Sequence, residues 1–323
     1  MTSVPRHFHA VPLTDFRDGE LYLGKYPGFL YDASNQMPLN HDMDGRAIAA
    51  GVVPLDRNGN PRSNGKIVAL AIGMSNWKRE MRDRRKAARK ATFLSLLAES
   101  SRVNSRMRVV NGAQGGAAAD SWINDSSGCY TEAEKRLAAM KLTPAQVQIV
   151  LYKNANKHPS ASLTADTQCS AGPSLADACL YGIYVAEMAR YVKRRYCNVK
   201  QLFLHSRIFA GYAAAGTLNP EPFAYEYGFA TKWIIQSQIN QIKSGTITEP
   251  WGDLGYSAVP WMAWGPYFWA SGTTSRGDGL IWLQSDYDAD MTHPGPSACR
   301  KVAGMMLNFY LTSPHAPWFR AGE

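Results

Sequence analysis

The sequence predicts an α/β protein in which a central, mainly parallel sheet lies between two layers of helices, a three-layer α/β/α sandwich. Short apolar runs recur along the chain and are separated by longer segments with helical periodicity. The clearest run, residues 66–73, is apolar on both faces, which is typical of a strand buried in a parallel sheet. Strands that alternate with helices require right-handed crossovers, and these crossovers place helices on both faces of the sheet.

The chain divides into an extension and one domain. Residues 1–65 contain turn signals such as Tyr26-Pro-Gly and show little sustained periodicity, so we expect an N-terminal extension packed on the core. No Ser/Gly-rich or charge-block linker interrupts residues 66–323. We therefore expect those residues to form a single domain.

The elements are expected in alternating order after the first strand. A helix is predicted from about Asn76 to Glu99, with Trp77, Met81 and Phe93 on its apolar stripe. Further strands are predicted at residues 107–110, 146–152, 201–205 and 280–283, and further helices at residues 132–140, 175–195, 223–243 and 297–310.

Lysine and arginine outnumber the acidic residues, 35 against 26, which gives a formal net charge of +9. A positive charge of this size can indicate nucleic acid, an acidic polysaccharide or a membrane surface as a partner. Much of the excess lies in one run of basic residues between Lys78 and Lys90, and that run has helical periodicity. We interpret it as a solvated helix face and expect no nucleic-acid partner.

The sequence indicates neither a membrane span nor a metal site. No run of about 18 apolar residues is present, and the first residues lack the apolar core of a signal peptide. None of the five cysteines has the spacing of a zinc site. Cys169 and Cys179 lie ten positions apart across a loop, and both a disulfide and two thiols are compatible with that spacing.

Two strand ends carry residues that suit attack on a carbonyl. Ser75 follows the first strand at the start of a helix, where backbone N–H groups favour a developing negative charge. The alternative is that Ser75 only caps the helix. Gly115 and Gly116 follow the next strand, and small residues let a backbone N–H approach an oxyanion closely. A tight turn would explain the same glycines.

Two later strand ends complete the set. Asn154 and Asn156 follow the strand at 146–152, and their side-chain amides can donate to an oxyanion, although asparagine is also common in turns. Asp290 and His293 precede the last helix. A histidine near a serine acts as general base, and a carboxylate orients its imidazole. Taken alone, an Asp-x-x-His spacing is structural more often than catalytic.

The order serine, glycine, asparagine, Asp-x-x-His resembles the four blocks of the SGNH hydrolase superfamily, also called GDSL-type esterases, over about residues 66–312. Position by position, Ser75 matches the nucleophile, Gly116 the oxyanion glycine, Asn156 the oxyanion asparagine, and Asp290 with His293 the last block. Two positions have alternatives, Gly115 for Gly116 and Asn154 for Asn156. The third block lacks the family's leading glycine and trailing aspartate.

The resemblance implies a flavodoxin-like fold and a serine esterase that needs no metal and no organic cofactor. The first block, residues 73–76, reads Gly-Met-Ser-Asn and is similar to the Gly-Gln-Ser-Asn form of the carbohydrate and sialate acetylesterase branch. Ser75 would attack the ester carbonyl, His293 would take its proton and Asp290 would orient His293. The N–H groups of Ser75 and Gly116 and the amide of Asn156 would form the oxyanion hole.

An aromatic segment precedes the Asp/His loop and contains Trp251, Trp264 and Trp269. Flat aromatic faces suit stacking on sugar rings, and an aromatic core of the loop itself is the alternative. Glu226 would bond to substrate hydroxyls or cap a helix. Arg207 would place a cation near the pocket or form a salt bridge.

We therefore expect a carbohydrate O-acetylesterase whose partner is an acylated carbohydrate. A lipolytic or general carboxylesterase is the alternative enzyme, and a non-catalytic glycan-binding protein on the same fold is the alternative from another class. We expect a secreted or periplasmic location in preference to a cytoplasmic one, with any signal peptide missing from this sequence.

Overall fold

The computed structural model describes residues 8–82, 92–170, 175–214 and 219–322. Its strands are β1 (Leu21–Tyr22), β2 (Tyr26–Pro27), β3 (Ile67–Gly73), β4 (Met107–Asn111), β5 (Val147–Lys153), β6 (Gln201–Leu204) and β7 (Trp261–Trp264). Its α-helices are α1 (Leu39–Ala50), α2 (Ser75–Glu80), α3 (Phe93–Glu99), α4 (Cys129–Ala139), α5 (Asp177–Arg195), α6 (Phe223–Ser244) and α7 (Pro296–Thr312).

Five parallel strands form the central sheet in the order β4-β3-β5-β6-β7. Every residue of β3 and β5 is buried, as expected for central strands of a parallel sheet with both faces covered. Helices α5 and α6 pack on each other, and α2 and α3 pack on α7. The three-layer α/β/α sandwich predicted from the sequence is confirmed, and the carboxyl ends of all five strands lie at one edge.

The sequence prediction is wrong about the fifth strand. Residues 280–283 form a loop, in which Trp282 donates its backbone N–H to the oxygen of Gly272 and Leu283 is exposed. The fifth strand is Trp261–Trp264, which pairs in register with Gln201–Leu204. Its four side chains are buried, so the short aromatic run that was interpreted as loop is in fact a covered strand.

The helix predicted over residues 76–99 is interrupted. The structure has α2 and α3 at its two ends, and residues 83–91 between them lie outside the described part of the chain, together with most of the basic run interpreted as a solvated helix face. The remaining predicted helices are present within a few residues of their expected bounds.

The sequence analysis missed helix α1 because that helix has no apolar stripe. It buries His41, Gly45 and Ala49 and exposes Leu39 and Met43. A Cβ atom at Gly45 would lie 2.2 Å from the Trp261 ring, so only glycine permits this approach of the helix to β7.

Residues of the extension cover β7, the strand at one edge of the sheet. The ring of His41 bonds through Nε2 to the Met262 oxygen at 2.8 Å, and Trp264 donates its indole N–H to the Leu30 oxygen at 2.7 Å. Leu13 and Phe16 are buried in the same apolar core as the sheet. A covered edge strand is protected from pairing with other chains.

A disulfide joins Cys169 to Cys179. For this pair the sequence was compatible with either a disulfide or two thiols. Cys179 lies in the first turn of α5 and is buried. The disulfide therefore joins the segment after β5 to the first turn of helix α5.

Candidate active site

Ser75, His293 and Asp290 form a hydrogen-bonded row at the carboxyl edge of the sheet. The Ser75 Oγ lies 2.9 Å from Nε2 of His293, and Nδ1 of His293 lies 2.6 Å from Oδ2 of Asp290. Ser75 and His293 are separated by 218 positions in the chain, so only the fold brings them together. Ser75 and His293 are half-buried, whereas Asp290 is exposed.

The hydrogen bonds determine which ring nitrogen of His293 carries the proton. An ionised carboxylate only accepts, so Nδ1 of His293 donates to Asp290 and Nε2 is left to accept the hydroxyl proton of Ser75. Burial would raise the pKa of Asp290, but hydrogen bonds from the backbone and ring of His293 and from the Thr292 backbone outweigh it and lower the pKa to about 2. Asp290 is therefore charged at neutral pH.

The loop that carries Asp290 and His293 is closed by its own hydrogen bonds. Oδ1 of Asp290 accepts the backbone N–H groups of Thr292 at 3.0 Å and His293 at 2.9 Å. The Asp288 N–H donates to the His293 oxygen at 2.9 Å, across the mouth of the loop. Since one carboxylate holds both the backbone and the ring of His293, the imidazole orientation follows from the loop conformation.

Helix α2 anchors this loop at two points. Asn76, next to the serine, donates from Nδ2 to the Thr292 oxygen at 3.2 Å. Arg79, one turn further along the helix, forms an ion pair with Asp288. The sequence analysis missed both residues, although Asn76 belongs to the first block and its identity was a usable signal.

The glycine loop after β4 runs beside the start of α2. The Gln114 N–H donates to the oxygen of Gly73 at 3.0 Å, two residues before Ser75. Gly115 and Gly116 are exposed, and Gly116 has φ +78°, where glycine is favoured. Neither glycine N–H donates a hydrogen bond within the described residues, so both remain free to donate to a ligand oxygen.

The two candidate asparagines differ in how their amides are used. Asn156 donates from Nδ2 to the backbone oxygen and Oδ1 of Asp177, at 2.8 and 3.0 Å, which occupies both of its amide hydrogens. Asn154 makes one hydrogen bond through Nδ2, to the Ala117 oxygen at 3.2 Å. Its Oδ1 accepts the Ala155 N–H at 2.9 Å, which fixes the orientation of the amide. This bonding favours Asn154 over Asn156 as an oxyanion donor.

A buried ion pair joins the last residue of helix α2, Glu80, to the last residue of β5, Lys153. Lys153 Nζ is 2.6 and 2.7 Å from the two oxygens of Glu80, and neither side chain is exposed. Lys153 also lies 5.0 Å from the centre of the Phe268 ring. Burial raises the pKa of Glu80 and lowers that of Lys153 to about 8, while the attraction between them opposes both shifts. No sequence signal identified this pair.

The aromatic residues considered for substrate stacking belong to the core. Trp251, Trp264 and Trp269 keep at most 6% of their surface exposed. Trp269 donates its indole N–H to Glu221 at 2.8 Å. Glu226 is also buried, and its oxygens accept from the Tyr22 hydroxyl and the Leu163 N–H. These contacts favour structural roles for all four residues.

Arg207 follows β6 and is buried, with 3% of its surface exposed. It forms no salt bridge within the described residues. In that same part of the chain there is no group of three or more His, Cys, Asp or Glu side chains placed to hold a metal ion. No helix among the described residues has the length and apolar character required to cross a membrane.

The fold and this row of side chains define an α/β protein with a serine, a histidine and an aspartate in hydrogen-bond contact at the carboxyl edge of a parallel sheet. No protein-family model matches the chain, and no curated protein matches it. Among solved structures, the X-ray structure of protein YxiM from Bacillus subtilis is similar with a TM-score of 0.37 and 10% identity, over 76% of this chain. The match spans 56% of YxiM, little more than half of its length.

Proposed function

We propose that the protein is a serine esterase in which Ser75 is the nucleophile, His293 the general base and Asp290 the residue that orients the base. The observation that carries the proposal is the continuous row of hydrogen bonds from Ser75 Oγ through both ring nitrogens of His293 to Asp290. A serine hydroxyl is a weak nucleophile until an adjacent base accepts its proton, and this geometry supplies that base.

The first half of the reaction forms an acyl-enzyme. The Ser75 Oγ attacks the ester carbonyl while its proton moves to Nε2 of His293, and the ionised Asp290 stabilises the resulting imidazolium. The carbonyl oxygen becomes an oxyanion. The backbone N–H groups of Ser75 and Gly116, with Gly115 as the alternative glycine, and the amide of Asn154 are the proposed donors, since Asn156 has committed its amide to Asp177.

The acyl-enzyme forms when the imidazolium of His293 gives its proton to the alcohol oxygen as the carbon–oxygen bond breaks and the alcohol leaves. The second half returns the enzyme to its starting state. Water then attacks the acyl group, His293 takes a proton from that water, and the carboxylic acid leaves as Ser75 recovers its hydroxyl hydrogen. The cycle needs protein groups and water alone.

The preferred substrate in this proposal is an acetylated carbohydrate. Its support is the Gly73-Met74-Ser75-Asn76 sequence, which resembles the carbohydrate acetylesterase form of the first block, and Asn76 contributes to the site by holding the Thr292 oxygen. The buried tryptophans do not add support for sugar stacking. The disulfide between Cys169 and Cys179 supports a secreted or periplasmic location, where disulfides persist.

Hydrolysis of p-nitrophenyl acetate tests the proposal. Wild type should release nitrophenolate with an initial burst when deacylation is slower than acylation, and Ser75→Ala should be inactive. Ser126→Ala, at an exposed serine on another loop, is the matched control and should retain full activity. Equal hydrolysis by wild type and Ser75→Ala would contradict the proposal.

A panel of esters then separates the two enzymatic candidates. Acetylated xylan and pectin should be deacetylated, and rates on p-nitrophenyl esters should fall as the acyl chain lengthens beyond acetyl. A rate that rises with acyl length would instead identify a lipolytic or general carboxylesterase. Inactivity on every ester would favour the non-catalytic glycan-binding alternative.

A further inference from the structure

Helix α2, which carries the proposed nucleophile, is anchored twice on strand β5. The helix begins at Ser75 and ends at Glu80, and a helix of this length depends on tertiary contacts for its stability. The indole N–H of Trp77 donates to the Leu151 oxygen at 3.1 Å. Both carboxylate oxygens of Glu80 bind Nζ of Lys153, at 2.6 and 2.7 Å. The end of the helix is therefore held by an ion pair.

Lys153 also lies next to the proposed oxyanion donor. It is the last residue of β5, and Asn154 follows it directly. In the sheet, Lys153 is paired in register with Gly73, which lies two residues before Ser75. A Cβ atom at Gly73 would lie 2.1 Å from the Lys153 backbone oxygen, so only glycine permits this approach. The two segments that carry Ser75 and Asn154 therefore start from one close backbone contact.

The ion pair joins these two segments a second time. They first meet where Gly73 pairs with Lys153 in the sheet, and they meet again where Glu80 binds the Lys153 side chain. Ser75 lies between the two contacts along the chain. Its position relative to Asn154 is therefore restrained from both sides.

Other charges face this pair. Arg207 is buried and acts through space on both Glu80 and Lys153, and Glu221 attracts Arg207 in turn. Replacing Glu80 and Lys153 together by apolar residues removes one charge of each sign. The sum of the charges is then unchanged, and Arg207 still faces Glu221.

The geometry of the pair explains its presence better than stability does. Apolar side chains of similar volume often stabilise a fold as well as a buried ion pair, because desolvation of the charges offsets their attraction. Charge-assisted hydrogen bonds are short and directional, however, and here both oxygens of Glu80 bind the same nitrogen of Lys153. An apolar contact would not fix the end of α2 to this degree.

We propose that Glu80 and Lys153 are positioning residues for acyl transfer, and that their ion pair sets the distance between Ser75 Oγ and the amide of Asn154. This inference rests on the proposed esterase function. Both side chains are fully buried, so they act through α2 and the end of β5 and not by contact with substrate. The oxyanion forms only as the reaction proceeds, so a displaced Asn154 amide lowers kcat and changes KM little.

The double variant Glu80→Leu with Lys153→Met separates positioning from stability. It should melt above the single variant Lys153→Met, since no unpaired charge is left by the loss of one partner. Its kcat on p-nitrophenyl acetate should nevertheless fall roughly tenfold or more, with at most about a twofold change in KM. Glu132→Leu with Lys135→Met, at an exposed ion pair of α4, is the matched control and should keep its kcat. Wild-type kcat in a folded Glu80→Leu, Lys153→Met protein would overturn the inference.

A kinetic cycle with Asn154→Ala shows whether the pair acts through the Asn154 amide. Once that amide is absent, loss of the Glu80–Lys153 pair should lower kcat by at most about twofold, because the two effects share one cause. General damage to the fold would lower kcat by the same factor in both backgrounds. Equal factors in the presence and absence of the Asn154 amide would therefore overturn the inference.

Glu80→Gln keeps the shape of the side chain and a hydrogen bond to Lys153, and it replaces the double variant if that protein does not fold. Its kcat should fall by at least about threefold, and again less in the Asn154→Ala background. Wild-type kcat in Glu80→Gln, or a loss of equal size in both backgrounds, would overturn the inference and leave the esterase proposal intact. A wild-type protein inactive on every ester would overturn both.

Discussion

Asn76 Nδ2 donates a hydrogen bond to the Thr292 oxygen, and this bond couples the helix that begins at Ser75 to the loop that carries His293. The nucleophile and its base are far apart in sequence, so their 2.9 Å separation depends on contacts of this kind. Asn76 is 2% exposed and touches neither a substrate nor the reacting atoms. We therefore regard it as a positioning residue.

Asn76→Ala should lower kcat roughly tenfold with a smaller change in KM, because a small displacement of reacting groups is costly. The loss should be greatest for poor leaving groups, which depend most on His293 as an acid. Steady-state kinetics on esters of graded leaving groups measure this. Asn308→Ala, at an exposed position of α7, is the control and should behave as wild type. A lowered melting temperature, together with a loss of kcat that is the same for every leaving group, would indicate a merely structural role.

Asp290→Asn should lower kcat by roughly 10³-fold or more while leaving the fold intact. An amide at this position can donate to Nδ1, and that tautomer places the proton on Nε2, where it cannot accept from Ser75. Asp288→Asn is the matched control in the same loop, since Asp288 pairs with Arg79 and does not contact the imidazole. The decrease in kcat of Asp288→Asn should be much smaller than that of Asp290→Asn. Comparable losses in the two variants would contradict the assigned role of Asp290.

The lowered pKa of Asp290 makes its contribution to stability depend on pH. A carboxyl group whose folded-state pKa is below its usual value stabilises the fold above that usual value and loses the contribution as the pH falls through the folded pKa. With a usual pKa of 3.8 and a folded pKa of about 2, the contribution is full above pH 4 and is lost between pH 4 and 2. Melting temperatures of wild type and Asp290→Asn should therefore converge in that interval. A constant difference down to pH 2 would be incompatible with the lowered pKa.

The sequence predicted the sheet strands that form continuous apolar runs and the helices with a clear apolar stripe. It missed β7, because Trp261–Trp264 lies within an aromatic, glycine-rich and proline-rich segment whose composition also suits a loop. It missed α1 because that helix contacts β7 through Gly45, so the packing signal is a small residue and not an apolar stripe. Both failures concern the interface between the extension and the sheet edge.

The candidate site shows a similar division between what periodicity can and cannot reveal. The sequence locates β3, which Ser75 follows, and α7, which Asp290 and His293 precede, although the strand predicted before them at residues 280–283 is a loop. The choice between Asn154 and Asn156 depends on Asp177, whose backbone oxygen and carboxylate occupy the amide of Asn156. The Glu80–Lys153 pair joins positions 73 apart, and no local pattern in the sequence indicates such a contact.

Substitution of the two asparagines should give different losses. Asn154→Ala should lower kcat by roughly 10²–10³, the usual effect of removing one oxyanion donor. Asn156→Ala should instead lower the melting temperature, because it leaves the buried Asp177 without its amide partners. Parallel kinetics and thermal melts of the two variants measure this. A large kcat loss confined to Asn156→Ala would restore Asn156 as the oxyanion donor.

The stabilising effects of Glu80 and Lys153 on the fold should depend on each other. Lys153→Met leaves a buried carboxylate without its cation and should destabilise the fold by about 3–5 kcal/mol, whereas Glu80→Leu with Lys153→Met removes both charges and should recover much of that loss. Urea unfolding of the single and double variants gives the coupling free energy. Glu132→Leu with Lys135→Met, at an exposed ion pair of α4, is the control, and its coupling should be below about 1 kcal/mol. Additive losses at Glu80 and Lys153 would show that the two charges are stabilised by other groups.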